Sequence, residues 1–341
     1  MQLGIDSFVA TAPELARDGA PGDAQRVREL LEQIELADRL GLDAFGVGEH
    51  HRPDFVSSAP TVLLAAAAAR TQRIRLASAV TVLSSEDPVR VFQQFATLDL
   101  ISNGRAEIVV GRGSFVESYP LFGCDLEHYD ELFAEKLDLL LKIRARTHVE
   151  WRGRYRTALT GQGVYPRPVQ SPLPVRIGVG GTPESAARAA RLGLPLVVAI
   201  IGGQPRQFRP LVDLYRRTWL EAGHAAEKLE VGVHVIGFVA DSDAEAREAF
   251  WPGYEEMFGR IGRERGWPPP TRAQFEAQCG PLGALHVGGP ESVAEKIRAV
   301  DEALGGLARL SILLDNRRLS HAQILRATEL LATRVASRVR G

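Results

Sequence analysis

Short runs rich in Val, Ile and Leu alternate with amphipathic helical segments along this chain, and that alternation limits the folds open to it. Eight such runs stand at residues 3–8, 44–48, 74–82, 106–110, 175–179, 196–201, 231–239 and 310–314. Several are apolar on both faces, as in Ile108-Val109-Val110 and Ile312-Leu313-Leu314, the pattern of parallel strands covered on both sides. The segments between them are punctuated as helices. Val27, Leu30, Leu31 and Ile34 recur at helical spacing before Gly41. Asp87-Pro88 opens a second helix, which Asn103-Gly104 closes. Eight strands in regular α/β alternation predict a (β/α)8 TIM barrel rather than an open doubly wound sheet.

Such a barrel takes about 250 residues, which leaves roughly ninety for insertions. With no low-complexity linker, residues 1–341 read as one domain with insertions at about 145–174 and 241–285. The first contains Val149-Glu-Trp-Arg-Gly-Arg-Tyr-Arg, a hairpin-like pattern, and then a Pro-rich stretch. The second carries Trp251, Tyr254, Phe258, Trp267 and Phe275, which suit a lid or a dimer contact.

A formal net charge of −1 gives no sign of a nucleic-acid surface. The two cysteines, Cys124 and Cys279, lie outside any CxxC pattern, so a disulfide framework is not expected and a reducing cytoplasm fits. The first residues lack a basic segment followed by an apolar one, so no signal peptide is expected. The longest apolar run, residues 62–69, is too short to span a membrane and reads as a buried helix.

The second run stops at Glu49-His50-His51. Catalytic side chains of a parallel barrel stand at the C-terminal ends of its strands, and a histidine there can exchange a proton near neutral pH. Adjacent His50 and His51 point to opposite sides of an extended chain, so no metal-ligand set is expected. Gly180-Gly181-Thr182-Pro183-Glu184-Ser185 follows the fifth run and opens a helix. It suits either a phosphate on free amides or a well-capped helix without a ligand. It is not a dinucleotide fingerprint. Gly288-Gly289-Pro290-Glu291-Ser292 is a similar turn, and one of the two can be only a cap. Arg112, within Gly111-Arg112-Gly113, suits an anion or a polar ring edge, or else pairs with Glu49 or Glu117. Arg176 suits a buried ion pair or a ligand contact. Ala77-Ser78-Ala79-Val80-Thr81 leaves room for a flat ligand, or follows from layer packing.

Taken in order, these motifs resemble the bacterial luciferase-like flavin-dependent monooxygenase family, and the oxidoreductase subgroup within it. The resemblance also takes in Asp87-Pro88-Val89-Arg90, Pro120-Leu-Phe-Gly123 and Gly193-Leu194-Pro195, nearly the full chain. It implies a barrel that binds FMN at its C-terminal mouth, reduced by a separate NAD(P)H-dependent flavin reductase. The reduced flavin and O2 would oxidise a small organic substrate, and the chain would form a homodimer. His50 matches the histidine that supports the flavin peroxide chemistry, with Glu49 orienting it or balancing charge. Ala79 and Val80 match a pair behind the flavin ring that often carries a cis peptide, and Arg112 matches a flavin contact. Gly180, Gly181, Thr182 and Ser185 match the phosphate turn. Bacterial luciferase has a cysteine where this chain has Gly111, which argues against light emission. The alternatives are a deazaflavin-dependent hydride-transfer enzyme of the same superfamily and a non-catalytic flavin-binding protein.

Overall fold

The computed structural model describes residues 1–11 and 22–340. Its strands are β1 (Gln2–Ser7), β2 (Ala44–Val47), β3 (Arg75–Ser78), β4 (Thr81–Val82), β5 (Ala106–Gly111), β6 (His148–Trp151), β7 (Leu159–Gly163), β8 (Val175–Val179), β9 (Leu196–Ile200), β10 (Val231–Val239), β11 (His286–Gly288) and β12 (Arg309–Leu313). Its first six helices are α1 (Asp23–Leu40), α2 (Pro60–Ala68), α3 (Pro88–Ser102), α4 (Ser118–Leu121), α5 (Tyr129–Ala145) and α6 (Pro183–Arg191). Then follow α7 (Arg209–Glu221), α8 (Asp243–Arg265), α9 (Arg272–Cys279), α10 (Pro290–Leu304), α11 (His321–Leu330) and α12 (Ala336–Arg340).

Parallel pairing runs β1-β2-β3-β5-β8-β9-β10-β12 and returns to β1, so the eight strands close into a (β/α)8 TIM barrel. The strands close because their side chains are apolar on the helix-facing side, where Leu3, Ile5, Phe45, Ile108, Val233 and Ile312 are fully or almost fully buried. The helix boundaries follow local chemistry. Asp87 accepts hydrogen bonds from the amides of Val89 and Arg90 at the start of α3, and Asn103 ends it at φ 54°. Gly41 ends α1 in the left-handed region at φ 81°.

Two readings of the sequence need correction, and one short strand was not read. The run at 74–82 is two strands, β3 and β4, separated by Ala79 and Val80, whose peptide bond is cis. The run at 62–69 belongs to α2, but only one face is buried: Leu64 and Ala67 face the core while Val62 is exposed. The short strand β11, which pairs with the far end of β10, carries too few residues to be seen as an alternation. Residues 148–163 do form an antiparallel hairpin, β6 with β7.

Candidate active site

Barrel interiors are normally filled by bulky branched side chains. Here the inward positions carry Ala44, Gly46, Ala77, Gly178, Ala199 and Gly232, and the space they leave is a cavity of about 340 Å3. Ala79 and Val80 also border it. Val80 rests on two glycines: a Cβ at Gly111 would lie 2.6 Å from its Cγ2, and one at Gly178 would lie 2.9 Å from its Cγ1. Any side chain at Gly111, cysteine included, would displace Val80.

β2 leads to Glu49 and His50 at the rim of this cavity and to His51 beyond it. The imidazole of His50 lies between Phe8 and Phe55, each 4.4 Å away by ring centroids, with Phe115 at 5.6 Å. Burial, with smaller contributions from the neighbouring His51, Arg52 and His234, pushes its pKa down to about 3. His50 is therefore neutral at physiological pH. Its Nδ1 is buried without a hydrogen-bond partner among the described residues. His51 points to the other side, where its Nε2 lies 3.0 Å from Glu49 Oε1. The other Glu49 oxygen accepts from the Val82 amide at 2.8 Å. Glu49 thus holds His51 and ties β2 to β4. It does not orient His50, contrary to the sequence expectation, because successive side chains of an extended chain point to opposite sides.

The turn before α6 shows a second difference. Gly180 and Thr182 face the cavity, but Gly181 and Ser185 do not. Ser185 is buried under the first turn of the helix. Thr182 makes no cap with its side chain; its Oγ1 instead accepts from Arg112 Nη2 at 3.2 Å. Arg112 pairs with Asp130, rather than Glu49 or Glu117, and stacks over Tyr129 with 4.8 Å to the ring centroid. Glu117 is taken by Arg52 at 2.6 Å. The similar turn before α10 is filled by the chain's own carboxylate. Asp243 accepts from the Gly289 amide at 2.7 Å and from Ser292 Oγ at 2.9 Å. That turn is closed by Asp243, whereas the α6 terminus has no side-chain cap, and its Ser185 and Ala186 amides donate to the Thr182 carbonyl.

Other lining groups went unassigned in the sequence. His234 Nδ1 lies 2.6 Å from Asp6 Oδ2, and Phe8 stacks on His234 at 5.8 Å. Deeper, toward the N-terminal ends of the strands, Glu107 receives Arg176 at 2.9 Å and Arg309 at 2.6 Å. Arg176 also reaches Glu230 at 2.6 Å. Burial alone would raise the Glu107 carboxyl, but Arg309 and Arg176 hold it well below the usual range. Arg176 is thus an ion-pair partner that also lines the cavity.

No residue of 241–285 lines the cavity, contrary to the expectation of a lid. Trp251, Tyr254, Phe258 and Phe275 pack on one another, with Tyr254 to Phe258 at 4.4 Å and Trp251 to Phe275 at 5.2 Å. The segment approaches the mouth through Met257, which shares a small pocket with Phe8 and Phe55, and through ion pairs: Glu264 pairs with Arg52 at 2.5 Å, and Arg260 with Asp54. Among the described residues no group of three or more His, Cys, Asp and Glu is placed to hold a metal ion, and no helix is long and apolar enough to cross a membrane.

A family model of luciferase-like monooxygenases matches residues 5–306. The chain belongs to the luciferase-like monooxygenase family. This luciferase-like chain is 31% identical to protein y4wF of Sinorhizobium fredii over 194 residues, 57% of this chain and 56% of that protein. It is 33% identical over 174 residues to the F420-dependent glucose-6-phosphate dehydrogenase of Amycolatopsis mediterranei, 49% of this chain and 51% of that enzyme. The chain therefore matches little more than half the length of these two relatives. The match to the 4-hydroxyprotoasukamycin monooxygenase of Streptomyces nodosus subsp. asukaensis is longer, at 27% identity over 91% of this chain and 86% of that enzyme. Two solved structures share the luciferase-like fold. Monooxygenase RslO1 of Streptomyces bottropensis superposes with a TM-score of 0.85 at 24% identity, covering 99% of both chains. The oxygenating constituent of 3,6-diketocamphane monooxygenase of Pseudomonas putida, in complex with FMN, superposes with a TM-score of 0.80 at 20% identity over 99% of this chain and 98% of that one.

Proposed function

We propose that this chain is an FMN-dependent, two-component monooxygenase that oxidises a small organic substrate with O2. The observation that carries this reading is the N-terminus of α6, without a side-chain cap and beside Arg112, at the rim of a cavity with Gly46, Ala77, Ala79, Gly178 and Ala199 in its wall. A phosphate fits the first feature and a planar ring system the second. Gly180, Thr182 and Arg112 would hold the phosphate, and the Ala79–Val80 backbone would support the ring. Bound FMN supplies the two-electron chemistry that activates oxygen.

The chain's own groups do the rest. His50 presents a neutral imidazole, and its unpartnered Nδ1 can exchange a hydrogen bond with a reacting oxygen. Phe8, Phe55 and Phe115 keep water from it. Glu49 fixes β4, and with it the segment that follows Val80. In this reading residues 1–341 act as one barrel domain, in the cytoplasm and as a homodimer, and a separate NAD(P)H-dependent reductase supplies the reduced flavin.

The F420-dependent relative favours a second reading, hydride transfer with a deazaflavin. Anaerobic titration with reduced FMN and with reduced F420, followed by mixing with oxygenated buffer, separates them. Tight binding of reduced FMN, with reoxidation slower than that of the free flavin, is the expected result. Tight binding of reduced F420 alone would move the assignment to hydride transfer. FMN binding with unaltered reoxidation would leave a flavin carrier.

A further inference from the structure

We propose that His234, oriented by Asp6, is a substrate-binding base that takes the proton of an acidic hydroxyl, a phenol or an enol, carried by the organic substrate. This rests on the monooxygenase reading and adds a substrate class to it.

The argument starts from the tautomer. Asp6 Oδ2 lies 2.6 Å from His234 Nδ1, both residues are buried, and an ionised carboxylate can only accept. Nδ1 therefore carries the hydrogen, and Nε2 presents its lone pair. Nε2 has no hydrogen-bond partner among the described residues, yet it is not sealed in, and His234 lines the cavity. His234 is on β10, level with Ser311 of β12 and Ala199 of β9, below the rim where His50 stands. Phe8 separates the two imidazoles, 4.4 Å from one and 5.8 Å from the other.

The two histidines have different surroundings. His50 is enclosed by aromatic rings and has no carboxylate partner. His234 has Asp6, whose negative charge balances an imidazolium. The other charged groups around this part of the cavity are Arg309 and Arg176, joined to Glu107. Glu107 and Glu230 balance those two guanidiniums, so Asp6 is the carboxylate left to offset a charge on His234. In the transfer the substrate O–H bond breaks, an Nε2–H bond forms, and the electron pair stays on oxygen; nothing is oxidised. The ionised hydroxyl is the electron-rich form of such a molecule, the form an electrophilic oxygen attacks.

The test uses 4-nitrophenol, whose absorbance reports its ionisation, against 4-nitroanisole, which has the same ring and no hydroxyl. Below the pKa of free 4-nitrophenol, the protein is expected to bind the phenol with the phenolate band appearing. His234→Gln should bind it about tenfold more weakly, the loss of one charged hydrogen bond, and without that band. Asp6→Asn should also lose the band, because an amide does not impose the Nδ1–H tautomer; it serves as the second variant if His234→Gln fails to fold. His321→Gln, at a histidine outside the cavity, should keep it. Reduced-FMN titration of each protein tests the flavin reading separately: no FMN binding with the band intact would sink that reading while leaving His234 as the base. Equal binding of phenol and ether by the unaltered protein, a phenolate band that survives His234→Gln, or a loss confined to FMN affinity would overturn the proposal.

Discussion

Val80 fills the space that Gly111 and Gly178 leave, so a methyl at Gly111 must push a stiff β-branched side chain off its seat. Gly111→Ala is expected to cost about 1–3 kcal/mol of stability, as overpacking does, read from urea denaturation. His50 is a different kind of single-residue commitment. Its neutral form leaves it nothing to titrate near pH 7, so the dependence of turnover on pH should show no ionisation attributable to it. His50→Ala should retain FMN affinity and lower substrate oxygenation on the order of a hundredfold, with the reducing equivalents appearing as hydrogen peroxide. Undiminished coupling would remove His50 from the reaction. This residue was legible because a strand that ends in an acid and two histidines is visible in one stretch of chain. The Asp6–His234 pair was not, because 228 residues separate partners that only barrel closure brings to hydrogen-bond distance.

At the scale of elements, the strands could be read because burial on both faces leaves a continuous apolar signature. What composition hid was the break between β3 and β4, where the chain leaves the sheet without any change in residue type. The turns before α6 and α10 also looked alike. Their difference comes from Asp243, at the start of α8, which reaches across to only one of them. Asp243→Ala is expected to cost about 1–2 kcal/mol through the lost cap and to leave FMN affinity unchanged. Arg112→Ala combined with Thr182→Ala should weaken FMN by about ten- to a hundredfold and riboflavin hardly at all, since only FMN carries the phosphate. Equal losses for both ligands, measured by fluorescence titration, would place the phosphate elsewhere. The aromatic residues of α8 and α9 were legible as a cluster but not as to what they cover. Aromatic spacing reveals that a face is buried, not its partner.

For the whole molecule, two buried histidines set a pH limit. Burial pushes both His50 and His286 down to about 3. The unfolded chain binds their protons near pH 6.5 and the folded chain does not, so their stabilisation is complete above about 6.5 and declines as pH falls toward 3. Each histidine contributes about 1.4 kcal/mol per pH unit inside that window. Denaturation series from pH 7 to 4 should show this slope, and His286→Gln should remove its share. The ion cluster around Glu107 spans the barrel itself. Glu107→Gln leaves Arg309 and Arg176 without their shared counter-charge and should cost about 3–5 kcal/mol.

That cluster also says something about synthesis. Arg309 follows Glu107 by 202 residues. At translation rates of about 5–20 residues per second, Glu107 leaves the ribosome roughly 10–40 s before Arg309 does. The last barrel strand, β12, is also the one that joins β10 to β1. Until it arrives, the sheet is open along two edges and an acidic side chain occupies what will become its interior. A growing chain of this kind has to be kept from pairing with others for most of its time on the ribosome.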